Sequence, residues 1–227
     1  MVEDIALKDL TVRSLTGSEI ASSLQALANL RIAVFADYPY LYNGDVAYEF
    51  KHLKEFATAP DGLLVGVYDG DKLVGAATAS PMWAQKADFR EPFTRHGLDT
   101  SKLFYFGESV LLPEYRGKGI GHVFFDHREA AARRAGAETA AFATVVRPKN
   151  DPARPADYRP LDDFWRKRGY EPVKGLVAEL SWKEHGEAEE SPKQLQYWMR
   201  RIFGRGGFRP GRRLPGSGKS PLPRRGG

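Results

Sequence analysis

Residues Leu103–Gly121 read LFYFGESVLLPEYRGKGIG. An apolar run of strand length stops at Pro113. Arg116 is then followed by glycines at alternate positions, Gly117, Gly119 and Gly121, and the chain continues into GHVFFDHREAAARRAG (121–136), which has the pattern of a helix. Glycines spaced this way let a backbone bend tightly and aim its N–H groups at one point without Cβ obstruction. At a helix N-terminus the positive end of the macrodipole adds to them. The segment therefore predicts a strand–turn–helix cradle for the phosphates of a nucleotide-containing cofactor.

Spacing narrows the cofactor. A dinucleotide fingerprint needs G-x-G-x-x-G, and here the third glycine falls one residue early; counting from Gly119 puts Phe124 in the last place. A P-loop needs G-K-[ST], and Gly117-Lys118 is followed by Gly119. The pattern that fits is R-x-x-G-x-G, with Arg116, Gly119 and Gly121 in the defining places. After a strand ending V-x-x-P, this resembles the acetyl-CoA signature of the GNAT superfamily of N-acetyltransferases. The competing reading is a glycine-rich turn that only joins strand to helix.

The resemblance implies an α/β fold, a mixed sheet of about seven strands flanked by helices, with acetyl-CoA as co-substrate. It implies transfer of the acetyl group to a primary amine, on a small molecule or a peptide, by direct attack in a ternary complex. Cofactor contacts are expected from Val110, Leu111, Leu112, Arg116, Gly117, Lys118, Gly119, Ile120 and Gly121, with Arg116 ordering phosphate. Lys118 either adds charge or is a surface lysine. Asn150, beyond the next strand, falls where the family often touches the cofactor. A protein that binds acyl-CoA as a sensor or scaffold, without catalysis, is the alternative on the same fold.

A second landmark is DDFWRKRGY (162–170), similar to the short helix ending in G-[FY] that follows the fifth strand in the superfamily. Many members carry a tyrosine where this chain has Trp165, and that tyrosine can protonate the leaving thiolate. An indole N–H is not a usable acid. Tyr158 and Tyr170 are the remaining candidates, or the thiolate leaves unaided, which a thiol pKa of about 8.5 tolerates.

An amine acceptor is mostly protonated at neutral pH, with a lysine-like pKa near ~10.4, and only its neutral form attacks a thioester. A base is needed, and Glu108, a carboxylate inside an apolar strand, is the candidate. Alternation puts Phe106, Glu108, Val110 and Leu112 on one face. The other reading makes Glu108 a structural ion-pair partner. Backbone N–H near Val110 is a candidate for oxyanion stabilisation. The acceptor is expected beside the loop DYPYLYNGD (37–45), where Tyr38, Tyr40, Tyr42, Asp37 and Asp45 could hold a cation; alternatively the tyrosines pack the loop onto the sheet.

The remaining elements follow in order. A strand is predicted at Leu10–Leu15, and a helix capped by Thr16 or Ser18 runs to about Ala36. A second helix covers Val46–Phe56, and LLVGVYDGDKLVGAATA (63–79) is a hairpin turning at Asp69-Gly70. A short helix is expected around Trp83–His96, then the strand 102–112 and helix 117–135. TAAFATVV (139–146) reads as a strand buried on both faces. A helix at Leu161–Arg168 and strands near Leu176–Trp182 and Gln194–Ile202 complete the pattern. Tyr197 and Trp198 fit either a dimer contact or the core, so monomer and homodimer both stand.

The 227 residues, 42% hydrophobic and 12% aromatic, suffice for one domain with a sizeable core. The absence of cysteine excludes disulfides, thiolate metal sites and an acyl-cysteine intermediate. The five histidines have no metal-ligand spacing, and His122 and His127 are expected on a helix surface. No apolar run approaches membrane-spanning length and the N-terminus lacks a signal-peptide pattern, which predicts a cytoplasmic protein.

The net charge of +5 comes from residues 204–227, which hold seven Lys or Arg and no acid; without them the count is 27 basic against 29 acidic residues. The expected organisation is an acetyltransferase domain over 1–203 and a basic Gly/Pro/Arg-rich tail over 204–227, with the composition of a disordered segment. That tail could touch nucleic acid or anionic lipid weakly, or be merely solvated. Its GSGKS (216–220) is not a P-loop, because position 213 is Arg and no strand precedes it.

Overall fold

In the computed structural model, which describes residues 9–203, seven strands form one mixed sheet. The chain order is β1 (Leu10–Thr16), α1 (Ser18–Phe35), α2 (Val46–Ala57), β2 (Leu63–Asp69), β3 (Lys72–Pro81), α3 (Ala87–Arg95), β4 (Leu103–Leu111), α4 (Ile120–Arg134), β5 (Thr139–Val145), α5 (Asp162–Lys167), β6 (Glu171–Trp182) and β7 (Ser191–Arg201). The spatial order is β1-β2-β3-β4-β5-β7-β6, antiparallel throughout except for the β4–β5 pair. The expected mixed seven-stranded sheet flanked by helices is therefore the observed fold. The basic tail predicted at 204–227 lies outside the described residues.

The helices cover both faces. Leu24, Leu27 and Ala28 of α1 and Leu53 of α2 pack on Leu64, Ala76 and Val110 of the sheet. On the other face, Val123 and Phe124 of α4 meet Val65, Val74 and Ala77, while Phe125 meets Phe104, Phe106 and Phe142. Sealing the sheet on both sides explains why β5 reads as an unbroken apolar run.

Local chemistry moves several boundaries. α4 begins at Ile120 rather than 117, because Gly117 and Gly119 hold φ of 76° and 84°, outside the helical region. Gly17, not Thr16 or Ser18, occupies the N-cap of α1, and the Glu19 carboxylate accepts the Thr16 N–H instead. The β2–β3 hairpin turns on Gly70-Asp71 between the paired Asp69 and Lys72. Gly70 has a φ of 56°, which suits the first position of a two-residue turn. The helix expected at Trp83–His96 is a 3₁₀ turn at Met82–Ala84 followed by α3.

Two expectations about faces are corrected, and one open choice is decided. In β4, Ser109 pairs with Ala77 but Phe106 pairs with Ala79, so one extra residue on β4 forms a bulge at Gly107–Glu108. The bulge puts Phe106 on the α4 face while Glu108 and Val110 face α1, so strict alternation fails there. His127 is buried, its Nδ1 2.8 Å from Ser14 Oγ, whereas His122 is exposed. Tyr197 and Trp198 are core residues, 0% and 3% exposed, and offer no surface for a partner.

Candidate active site

β4 and β5 pair only over Leu103–Tyr105 and Thr139–Ala141. Beyond these residues β4 stays with β3 while β5 leaves with β7, so the two strands part and their facing edges lose the ladder. Arg128 of α4 lies behind the parting. Its guanidinium stacks 4.6 Å from the Phe106 ring and donates to the carbonyls of Phe124 (3.1 Å) and Glu108 (3.4 Å). Burial, partly offset by Tyr170 and Glu108, lowers its pKa to about 10.

At the far end of β4, a 3₁₀ turn at Pro113–Tyr115 leads through Gly117 and Gly119 into α4. Among the described residues, the N–H groups of Gly117, Lys118 and Gly119 have no backbone acceptor. Ile120 and Gly121 lie in the first helical turn, where no intrahelical acceptor exists. The result is a run of free donors at a helix N-terminus. The space over Gly117 and Gly119 is open, so it is their positive φ, not crowding, that requires glycine. This donor set suits a pyrophosphate.

On the opposite face of the sheet, α1, α2 and the segment entering α3 enclose, with β4, β6 and β7, a cleft of about 730 Å³. Its floor is an ion triad. Arg31 Nε is 2.5 Å from Glu49 Oε2 and Arg31 Nη1 is 2.9 Å from Glu108 Oε2, with side-chain exposures of 11%, 2% and 13% respectively for the three residues. Glu108 Oε1 is buried and has no hydrogen-bond partner among the described residues. Burial pushes the Glu108 carboxyl up, but the positive charge of Arg31, reinforced by His52, outweighs burial and holds it below the usual range. Arg31 is likewise destabilised by burial and more than compensated by Glu108 and Glu49.

His52 lines the same cleft one turn beyond Glu49. Burial and then the charge of Arg31 lower its pKa, so the imidazole is neutral at pH 7. Three phenols of the cleft stay protonated: burial raises Tyr40 to about 12, pushes Tyr42 higher still and holds Tyr105 well above the usual phenol value.

The loop between α1 and α2 is strapped over the cleft. Arg147, just after β5, donates to the Pro39 carbonyl at 2.7 Å and pairs with Glu184 at 2.6 Å, while Trp182 Nε1 donates to the Tyr40 carbonyl at 3.0 Å.

Of the residues singled out in sequence, Glu108, Tyr40 and Tyr42 line the cleft. Tyr38 does not; it stacks edge-on with Tyr158, ring centroids 4.7 Å apart. Asp45 caps α2 by accepting the Tyr48 N–H. Tyr170 is a correction: it is fully buried against α4, its hydroxyl donates to Glu129, and burial holds its pKa well above that of a free phenol. It has no path to the cleft. Trp165 packs between Phe142 and Trp198, centroids 5.2 Å from each. The Val110 side chain is core, leaving its main chain for any ligand, and Leu111 and Leu112 pack at the core edge. Arg116 donates to the Leu111 carbonyl at 3.1 Å and is exposed, Lys118 lies 5.1 Å from the Tyr115 ring, and Asn150 is exposed on a turn.

Sequence reading missed Arg31, Glu49 and His52. The available signal was Glu49-x-x-His52, polar residues at i,i+3 on the face of α2 that should turn inward. Among the described residues no cluster of His, Asp and Glu is placed to hold a metal, and no helix is long and apolar enough to cross a membrane.

The family model described as Acetyltransferase (GNAT) family matches residues 27–170. No curated protein matches the chain. Among solved structures, Salmonella typhimurium yncA, determined with its cofactor acetyl-CoA, is similar at 12% identity over 89% of this chain and 99% of its own, with a TM-score of 0.55. An aminoglycoside 6′-N-acetyltransferase complexed with coenzyme A is similar at 16% identity over 86% of this chain and 98% of its own, TM-score 0.54. A ribosomal-protein-alanine N-acetyltransferase from Brucella melitensis is similar at 14% identity over 84% and 98%, TM-score 0.53. At these identities the likeness is one of fold.

Proposed function

The chain belongs to the acetyltransferase (GNAT) family, and from the geometry of its site we propose that it transfers an acetyl group from acetyl-CoA to a primary amine by direct attack within a ternary complex. The observation that carries this reading is the position of Glu108. It sits on the bulge where β4 parts from β5, and its free Oε1 is buried against the cleft. The donors of Gly117–Gly121 hold the pyrophosphate on one side of the sheet, and the parted edges accept the amide-bearing arm of the cofactor. When bound, acetyl-CoA supplies the activated acetyl carbon at the parting. The amine comes from the opposite face.

In this reading Glu108 changes role. A carboxylate held low by Arg31 is a poor proton acceptor for an ammonium, so the base expected in sequence fits better as an anchor, its Oε1 accepting an N–H of the acceptor. Tyr40 and Tyr42 contribute aromatic walls around the cation. Arg116, Lys118 and Asn150 stand at the exposed cofactor end. Tyr158, half-buried against Tyr38, is the phenol that remains as a candidate acid. Residues 1–203 constitute the acetyltransferase unit and 204–227 a basic appendage.

Calorimetry of the full chain with acetyl-CoA, with adenosine nucleotides as controls, tests the first half; selective binding of acetyl-CoA is expected. Release of free thiol in the presence of a panel of primary amines tests the second. Selective binding with no thiol release from any amine would favour a non-catalytic acyl-CoA sensor.

A further inference from the structure

The triad at the cleft floor leaves the acceptor's proton without a receiver. Glu108 and Glu49 both pair with Arg31, and Glu55 pairs with Lys86 at 2.6 Å; Asp88 and Glu179, the other carboxylates of the lining, are exposed to solvent. The phenols of Tyr40, Tyr42 and Tyr105 are protonated. One imidazole remains among the residues lining the cleft. His52 stands on the inner face of α2 in the spacing Glu49–His52–Glu55, and it makes no hydrogen bond to any described residue. The residue is half-buried in the cleft wall, so a ring nitrogen that the fold does not use is open to a ligand in the cleft.

We propose that His52 is the proton acceptor of this enzyme, receiving the proton of an ammonium group that Glu108 holds at the cleft floor. The inference rests on the acetyltransferase reading above. An imidazole nitrogen takes one N–H proton of the acceptor's ammonium. The freed nitrogen lone pair forms the C–N bond to the acetyl carbon while the C–S bond breaks, leaving its electron pair on sulfur. The nitrogen's second proton ends on that sulfur, giving the free thiol, and the imidazolium returns the first to water. The acceptor class that follows is a primary alkylamine, cationic in solution, small or slender enough to reach Glu108 in the cleft that Tyr40 and Tyr42 line.

The charged groups facing His52 come from four segments: Arg31 on α1, Glu49 and Glu55 on its own helix, Lys86 at the entry to α3 and Glu108 on β4. Arg31 and Lys86 oppose its protonation, whereas Glu108 and Glu49 favour it. Removing the Glu108 charge must therefore move the His52 titration to lower pH.

The test uses the full chain, acetyl-CoA and 1,4-diaminobutane as probe amine, following thiol release from pH 5 to 9. For the wild-type protein kcat/KM should fall on the acid side through an ionisation below about 6.5, the ordinary histidine value. His52→Gln should lose that limb and about 100-fold or more in kcat, with acetyl-CoA affinity by calorimetry unchanged. Glu108→Gln should keep the limb but shift it to lower pH. His52→Ala should be rescued by added imidazole, which a purely structural role would not permit. The His52 ring signal, titrated by NMR without substrates, should show the same downward shift in Glu108→Gln. An active wild-type protein whose limb and kcat survive His52→Gln overturns this proposal alone. A wild-type protein that binds acetyl-CoA but releases no thiol with any amine overturns the acetyltransferase reading and this proposal with it.

Discussion

Arg31 on α1 reaches Glu108 on β4 at 2.9 Å, tying a helix to the bulge of the central strand across the floor of the cleft. The same guanidinium holds the nearly inaccessible Glu49 at 2.5 Å, so one cation is shared between two carboxylates and the triad keeps a net negative charge. Removing it leaves both buried charges uncompensated.

Arg31→Gln should therefore destabilise the protein by about 3–5 kcal/mol, the usual loss when a buried pair is broken from one side. The sign with pH follows from Glu108. Its folded-state pKa is depressed, so the pairing contributes full stability above the unfolded carboxylate pKa of about 4.3 and loses it as pH falls through the lower folded value. Urea unfolding of wild type from pH 7 to pH 3 should show this acid-side loss, and Arg31→Gln should flatten it.

Glu108→Gln should leave acetyl-CoA binding within a few-fold of wild type and lower kcat/KM for a primary alkylamine by about 100-fold, mainly through a weaker hold on the ammonium. Steady-state kinetics with the amine varied, beside calorimetry with the cofactor, separates the two. Equal losses in both would place Glu108 in the cofactor site instead.

Gly119→Asp should abolish acetyl-CoA binding while the fold persists. The residue holds φ 84° at the N-cap of α4, and an aspartate there sets negative charge among donors suited to a pyrophosphate. Calorimetry and circular dichroism read the two effects; retained tight binding would put the cofactor elsewhere.

Gly107→Ala should cost about 1–3 kcal/mol, because its Cβ would fall 2.4 Å from Thr78 Oγ1, the group that accepts the Glu108 N–H. Adding Thr78→Ala removes the obstructing oxygen and should recover part of the loss. A double-mutant cycle of thermal unfolding with coupling near zero would mean the bulge relaxes without that contact.

The local pattern of the chain carried much of the fold. Strand, turn and helix at 103–136 follow from a stop at Pro113 and from glycines at 117 and 119, whose roles are set by their own φ and need no distant partner. The sheet's burial on both sides was written in the unbroken apolar run of β5, and the hairpin of β2 and β3 in a turn chemistry confined to two residues.

Tertiary structure alone decided the site. Face assignment in β4 depended on an extra residue opposite β3, which sequence alternation does not register, and so Phe106 and Glu108 point opposite ways. Tyr170 reads in sequence as an available phenol, yet packing against α4 spends its hydroxyl on Glu129. The pairing of Arg31 with Glu108, 77 positions apart, set the carboxylate's charge state, and burial followed by the same Arg31 charge lowers the proton affinity of His52 in the cleft. Charge, proton affinity and access depend on which groups meet in space, and that is fixed only when the helices close over the sheet.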